Sequence, residues 1–272
     1  MSLISVVVTT YNWSSALRLC LHGLYAQEDM NFEIIIADDG SSISHVNQTK
    51  VIFDVSPVKI SYVYHEDKGF RAGTIRNKAV AQSTGEYLVF IDGDCIVRPN
   101  FISRHRRLAE KGYFIPGNRV LLSQGFTQVV IDEQILLHQK KLCYFFFSRI
   151  RNKINRISAF VYLPLGLFRF MNPNKWDRAM TCNLGLWKDD FLRVNGFDEF
   201  FEGWGYEDSD LVIRLIHSGI KRKEGRFAVP VLHLWHHQND KSRHSINYQK
   251  LMDRLADKDF IVAECGVSQY IQ

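Results

Sequence analysis

Six acidic side chains fall into three short clusters: Asp38-Asp39, Asp92-Gly93-Asp94 and Glu207-Asp208. Asp92 and Asp94 flank one glycine directly after residues 87–91, an apolar run with the length of a buried parallel strand. Open α/β sheets bind ligands at the carboxyl edge of their strands. Two hard oxygen donors at such an edge suit a divalent cation that already carries a phosphate. Taken alone, the tripeptide also reads as a surface turn. The first two clusters both follow strands, so a parallel sheet brings them near each other. Carboxylates gathered in this way repel, and their charged forms are costly unless a cation compensates. Arg71, Arg76 and Lys78, from the intervening segment, are candidates to meet phosphate or another anion.

Glu207 and Asp208 start a helix, where acids suit the helix dipole. A carboxylate in that place can also take the proton from an attacking hydroxyl. Just before them, Gly203-Trp204-Gly205 sets an indole between two glycines. This is either a loop that turns an aromatic face to a ligand such as a sugar ring, or a tight turn around a buried Trp. His233, His236 and His237 follow a strand as structural imidazoles or metal ligands, and the acid clusters favour the metal reading. No H-E-x-x-H is present, which speaks against a hydrolytic zinc site.

The elements that must position these groups alternate. Residues 4–9, 32–37, 59–64 and 87–91 read as strands, separated by helices from Ser14-Ser15 onward, up to Asp54 and over 72–82; another spans 101–111. The order βαβαβαβα calls for a mostly parallel sheet flanked by helices. There is no Gly-x-Gly-x-x-Gly after the first strand and no Gly-Lys-Ser/Thr phosphate loop. In the second half, a strand over 113–122 is interrupted at Pro116-Gly117, and a helix is expected over 124–141. Strands over 181–187 and 227–234 enclose a short helix over 188–194 and an amphipathic helix closed by Gly219. A polar helix follows Ser245.

Residues 138–178 are aromatic and basic, with Asp177 as their single acid. They read as a helical insertion packing its aromatics on the core. The alternative is an interfacial segment, with aromatics in the headgroup layer and cations on anionic lipid.

Composition is that of an ordinary globular protein: 272 residues, 46% hydrophobic and 23% charged. The net charge of +5 allows attraction to phosphates or an anionic membrane but is no nucleic-acid signature. Five scattered cysteines without a C-x-x-C pair argue against a disulfide framework or structural zinc and fit a reducing cytosol. No secretory signal is expected from residues 1–8, and no apolar run approaches the roughly twenty residues of a membrane span.

Several motifs in order resemble inverting glycosyltransferases of family 2, which have the GT-A fold. They are Val6-Val7-Val8-Thr9-Thr10-Tyr11-Asn12, Ala37-Asp38-Asp39-Gly40-Ser41, Arg76-Asn77 and the stretch from Gly85 to Asp94. Phe201-Glu202-Gly203-Trp204-Gly205-Tyr206-Glu207-Asp208 is similar to a segment of β-1,4-galactosyltransferases and bacterial chondroitin-type polymerases. The resemblance implies a single GT-A catalytic domain over 1–240, with a nucleotide-binding half (1–112) and an acceptor half (113–240), then a helical tail over 241–272. It implies that Thr9, Tyr11, Asp39, Arg76, Asp92 and Gly93 hold a UDP-sugar. Asp94 and His233 would ligate Mn²⁺ or Mg²⁺, with His236 or His237 as alternatives to His233. Trp204 and Glu207 would orient the acceptor, and Asp208 would be the base.

Family members often carry serine or alanine where Gly93 stands. The Gln-x-x-Arg-Trp sequence of processive polymerases is absent, which favours transfer of a single sugar. The function so implied is metal-dependent transfer of a hexose or N-acetylhexosamine from a UDP-sugar to a hydroxyl. The acceptor would be a saccharide or glycolipid in surface polysaccharide or lipopolysaccharide assembly of bacterial type. The location would be cytoplasmic, at the inner face of the membrane, with residues 138–178 on anionic lipid and no nucleic-acid partner. Two alternatives remain, a catalytically silent nucleotide-sugar-binding module and a nucleotidyltransferase.

Overall fold

The structure, a computed structural model, describes residues 2–237 and 240–271. Residue 1 at the expected leaderless start, residues 238–239 at the end of the expected catalytic unit, and residue 272 of the tail lie outside the described residues.

The first half alternates as its apolar runs require: β1 (Ile4–Thr10), α1 (Ser14–Tyr25), β2 (Phe32–Asp38), α2 (Ile43–Phe53), β3 (Ile60–Tyr64), α3 (Ala72–Ala81) and β4 (Tyr87–Asp92). β1 lies between β2 and β4, parallel to both, and β3 extends the sheet beyond β2. Val6, Val7, Val8 and Ile34, Ile35, Ile36 are fully buried, because helices cover both faces and the strands need no polar side. The register sets Thr10 opposite Asp38 and Thr9 opposite Asp92. Three strands therefore end level, and their ends form the edge that carries the site.

The second half comprises β5 (Cys95–Val97), α4 (Phe101–Leu108), β6 (Tyr113–Pro116), β7 (Asn118–Leu121), α5 (Gln124–Asp132) and α6 (Leu142–Ile150). These lead to β8 (Asn183–Trp187), α7 (Lys188–Arg193), α8 (Glu207–His217), β9 (Lys221–Arg222), β10 (Pro230–His233) and α9 (His244–Ala256). β8 and β6 add antiparallel strands beyond β4, and the full sheet runs β3-β2-β1-β4-β8-β6-β9. A small second sheet, β5-β10-β7, sets His233 opposite Cys95. That pairing carries the histidine segment to the residues following Asp92-Gly93-Asp94.

Four local expectations are corrected. Residues 113–122 break at Pro116-Gly117 as expected, but the two strands fall in different sheets, and at Gly117 the Asn183 side chain leaves no room for a Cβ. The helix expected over 124–141 stops at Asp132. Gln134 adopts φ +49°, and the chain folds back to bury Leu137. The strand expected over 227–234 starts only at Pro230, since Phe227 has φ +60°. The insertion is helical only in α6 and three-residue or five-residue 3₁₀ turns, and while Tyr144, Phe145, Phe160 and Trp176 pack on the core as expected, Phe146, Phe147, Tyr162 and Phe168 stay in solvent.

The polar tail packs on the main body. α9 buries Asn247 and Leu251, and residue 263 donates its backbone N–H to Val194. Beneath it lies an ionic network. Arg214 and Asp210 have fully buried side chains, paired at 2.6 Å, and Arg214 also donates to the Val194 carbonyl. Arg254 of α9 reaches Asp198 at 3.1 Å. Burial pushes the Asp210 carboxyl up, and the Arg214 charge opposes that shift. Arg214→Met strands a buried carboxylate and is expected to cost about 3–5 kcal/mol in urea unfolding. The double change Arg214→Met/Asp210→Leu should recover most of that loss. An unchanged midpoint for the single variant would show that the pair does not hold this region together.

Candidate active site

The level strand ends open into a cleft with two lobes. One, of about 770 Å³, is bordered by Thr9, Tyr11, Asp39, Gly93 and Asp94 and closed by α5 through Gln124, Thr127 and Gln128. The other, of about 520 Å³, is bordered by Arg76, Trp204, Glu207, Asp208 and His233. Asp92, Trp235 and His236 border both. Thr9, Tyr11, Asp39, Arg76, Asp92, Gly93, Asp94, Trp204, Glu207, Asp208 and His233, each given a role by the resemblance, thus line this cleft, with Asp92 at the junction.

Arg76 is the organising cation. α3 inserts it beneath the strand ends, where it is 4% exposed. Its Nε donates to Thr9 Oγ1 at 2.9 Å and its Nη2 to Asp92 Oδ1 at 3.1 Å. Its Nη1 lies 3.5 Å from Asp208 and 3.6 Å from Glu207. The carboxylates that should repel one another are therefore compensated by a residue of the chain itself. Lys78, two positions on and so about 200° around the helix, leaves the cleft and sits over the Tyr270 ring. Arg71 turns its guanidinium to the Glu66 carbonyl and borders neither lobe. Of the three expected phosphate cations, only Arg76 reaches the cleft.

Asp208 and Glu207 differ in setting. Asp208 accepts hydrogen bonds from the Thr181 hydroxyl at 2.7 Å and the Thr181 backbone N–H at 3.1 Å, and it faces the second lobe. Glu207 lies deeper. Burial and the Asp208 charge push its carboxyl up to about 8 against the pull of Arg76, so near neutral pH it holds a proton. Burial also raises the Asp208 carboxyl, opposed by Arg76 and by the Thr181 bonds. Asp208 is the carboxylate of the pair that opens to the cleft with Arg76 and Thr181 favouring its charged form, the place a base would need.

Trp204 stands in a strained turn. Gly203 and Gly205 have φ of +73° and +113°, and Tyr206, which precedes α8, has φ +73°. α9 holds this turn in place. Asn247 donates to the Glu202 and Gly205 carbonyls, the Tyr206 hydroxyl meets His244 at 2.9 Å, and Arg243 pairs with Glu202. Neither Asn247 nor His244 was found in the sequence, because nothing local marks them. Thr181 was missed for the same reason.

In the first lobe, Asp39 is fixed by His65 at 2.6 Å and by the Arg71 backbone N–H at 2.9 Å. Asp38 is turned away, accepting from the backbone of Gly40 and Ser41, and is structural. Tyr11 is half exposed and donates to Asp67. The Gly93 N–H is committed to the Thr9 carbonyl at 2.7 Å, so Gly93 shapes the turn and offers no donor to a ligand.

Asp94, Cys95 and His233 bring their donor atoms within 4.8 Å of one another, and His236 adds a second imidazole beside Asp94. His233 Nε2 lies 3.7 Å and His236 Nε2 3.5 Å from the Asp94 carboxylate. Both Nδ1 atoms face backbone carbonyls, Leu234 O at 2.8 Å and His237 O at 2.7 Å. A carbonyl only accepts, so each Nδ1 donates there, and Nε2, which faces the carboxylate, is the ring atom left to ligate a cation. Lone pairs converging on a carboxylate fit an intervening cation. Burial pushes the Cys95 thiol well above the usual range and leaves it a poor ligand.

Two substitutions around Asp208 should move its titration in opposite directions. Thr181→Val removes a hydrogen bond that favours the charged form and raises the Asp208 midpoint. Asp92→Asn removes a repelling charge and lowers it. Carboxyl ¹³C shifts followed against pH read both, and movement in the same direction would contradict this electrostatic account.

Two family profiles match the chain: Glycosyl transferase family 2 over residues 5–172, and N-terminal domain of galactosyltransferase over residues 165–238. Validoxylamine A glucosyltransferase of Streptomyces hygroscopicus subsp. jinggangensis is 30% identical over 227 residues, 80% of this chain and 52% of that protein. Chondroitin synthase of Escherichia coli is 25% identical over 241 residues, 83% of this chain and 34% of that protein. The chain therefore spans about half the length of the first relative and a third of the second. Among solved structures, residues 1–349 of S. aureus TarS superpose with a TM-score of 0.60 at 14% identity, covering 98% of this chain and 68% of that one. The mannosyltransferase PcManGT of Pyrobaculum calidifontis, solved with GDP-Man and Mn²⁺, gives 0.60 at 15% identity, covering 97% and 66%. These are GT-A glycosyltransferases, and their fold is the fold of this chain. With more than half of its residues matched by the family profile, the chain belongs to glycosyltransferase family 2.

Proposed function

We propose that this glycosyltransferase moves one hexose or N-acetylhexosamine from a UDP-sugar to an acceptor hydroxyl, with inversion and with a divalent cation at Asp94. The observation that carries the reading is the junction. Asp94 faces the first lobe and Asp208 the second, while Asp92 and His236 border both and His233 reaches Asp94 from the second. The first lobe has the size of a ligand pocket, and Tyr11, Trp13 and Asp39 border it as a base and ribose would need. Crystals of TarS with UDP support a uridine nucleotide, whereas the PcManGT complex contains GDP-Man.

A cation held by Asp94 and the two imidazoles would neutralise the diphosphate as it departs. A mixed carboxylate and imidazole set suits Mn²⁺ better than Mg²⁺, which prefers oxygen ligands and water. Asp208 takes the proton of the acceptor hydroxyl as that oxygen attacks the anomeric carbon. Thr181 keeps the Asp208 carboxylate oriented, and Arg76 keeps it charged. Trp204 offers a face for the acceptor sugar, braced by α9. Arg119 and Lys241 border the same lobe with no carboxylate partner among the described residues, which suits an acceptor that carries negative charge. Such an acceptor fits saccharide or glycolipid assembly at the cytoplasmic face of a membrane.

UDP release across a panel of UDP-sugars, with GDP-sugars as controls and with Mn²⁺, Mg²⁺ or EDTA, tests this. One UDP-sugar is expected to be turned over with Mn²⁺ and not with EDTA. Asp208→Asn should lower kcat by about 10²–10⁴ while UDP·Mn²⁺ binding is kept, whereas Asp94→Asn should lose that binding. Undiminished turnover by Asp208→Asn, or turnover in EDTA, would overturn the mechanism.

A further inference from the structure

The insertion holds apolar side chains in solvent by means that no core requirement explains. α6 sends Phe145 inward, stacked on Phe160 at 4.2 Å. On its outer face Leu142, Phe146 and Ile150 recur every fourth residue beside Phe147, and Ile150 and Phe147 are 61% and 58% exposed. Further along, Val161, Tyr162 and Leu163 are exposed, and in the 3₁₀ turn Gly166–Phe170 so are Leu167, at 85%, and Phe168, at 71%. That turn is firmly built. The buried guanidinium of Arg169 donates to the carbonyls of Leu163, Pro164, Glu224 and Arg226, so the apolar pair directly before it is pinned outward. The two parts adjoin: Leu142 and Tyr162 both border Arg104, and Leu163 and Phe168 both border Phe227.

Charge says what such a strip fits. Residues 134–176 contain eight Lys and Arg and no Asp or Glu. Lys141, Arg149, Arg151 and Arg156 are exposed and make no ion pair among the described residues. A second copy of the chain would bring the same cations against these, which disfavours self-association through this face. Lipid phosphates over an acyl layer complement both features. No helix among the described residues is long and apolar enough to cross a membrane.

We propose that this strip docks on the surface of an anionic bilayer. Its apolar side chains enter the boundary between headgroups and acyl chains, and the flanking cations meet lipid phosphate. Neither donor nor acceptor is needed for this contact, so it stands apart from the reaction proposed for the cleft.

Co-sedimentation of the whole chain with vesicles of phosphatidylcholine, alone or mixed with phosphatidylglycerol, tests it directly. Binding to the mixed vesicles is expected to be tighter by at least about tenfold, given that each cation at the surface contributes. It should fade at 1 M salt, where the screening length falls to about 3 Å. Arg149→Glu/Arg151→Glu should erase the preference for anionic lipid, and Phe146→Ser/Phe147→Ser/Phe168→Ser should weaken binding to the mixed vesicles. Circular-dichroism melting of each variant reports folding without reference to activity. Failure to bind the mixed vesicles, equal binding to both kinds, or dimerisation by light scattering that the Phe variant abolishes would each overturn the proposal.

Discussion

The site depends on one buried guanidinium. Acids from the ends of β4 and the start of α8 meet in a space where their mutual repulsion would otherwise drive protons onto them. Arg76 occupies that space and touches Thr9, Asp92, Glu207 and Asp208 at once. Its planar fork suits several oxygens in fixed directions, which the single point charge of a lysine would not. Its position follows from α3, which packs beneath the carboxyl edge of the sheet and turns its next cation, Lys78, the other way.

With Arg76 in that role, the cleft divides its labour. The carboxylates compensated by the guanidinium need no metal, and two residues beyond Asp92 the Asp94 carboxylate instead faces the imidazoles of His233 and His236, the position proposed for a cation. The small sheet makes this possible, because β10 pairs with β5 and lays the histidine segment beside Asp94. On the other side, the Thr181 bonds to Asp208 and the α9 bonds to the Trp204 turn come from elements distant in sequence. The two lobes, proposed for nucleotide and acceptor, then meet at Asp92.

Much of this was legible in the chain. Doubly buried strands announce themselves as continuous apolar runs, and acids that follow them must gather at one edge. What periodicity could not decide was which cation serves the acids and which serves a ligand, since that depends on how α3 lies against strands far along the chain. Nor could it show that α5 ends at Asp132, where Gln134 takes a left-handed conformation to bury Leu137, or that Asn183 excludes any side chain at Gly117. The aromatic insertion was read first as core-packing. Its sequence has the composition for that, but only the fold shows Phe145 turned in and Phe146, Phe147 and Phe168 turned out. Asn247 carried no local signal, because its work is to bind backbone carbonyls of another segment.

The division between a guanidinium-held acid cluster and a separate metal position is tested most directly by anomalous diffraction at the manganese edge, from crystals grown with UDP and Mn²⁺. The expected result is one manganese peak between the Asp94 carboxylate and the imidazoles of His233 and His236, with Arg76 still on Asp92 and Asp208. A peak among Asp92, Glu207 and Asp208, with Arg76 displaced, would contradict the account.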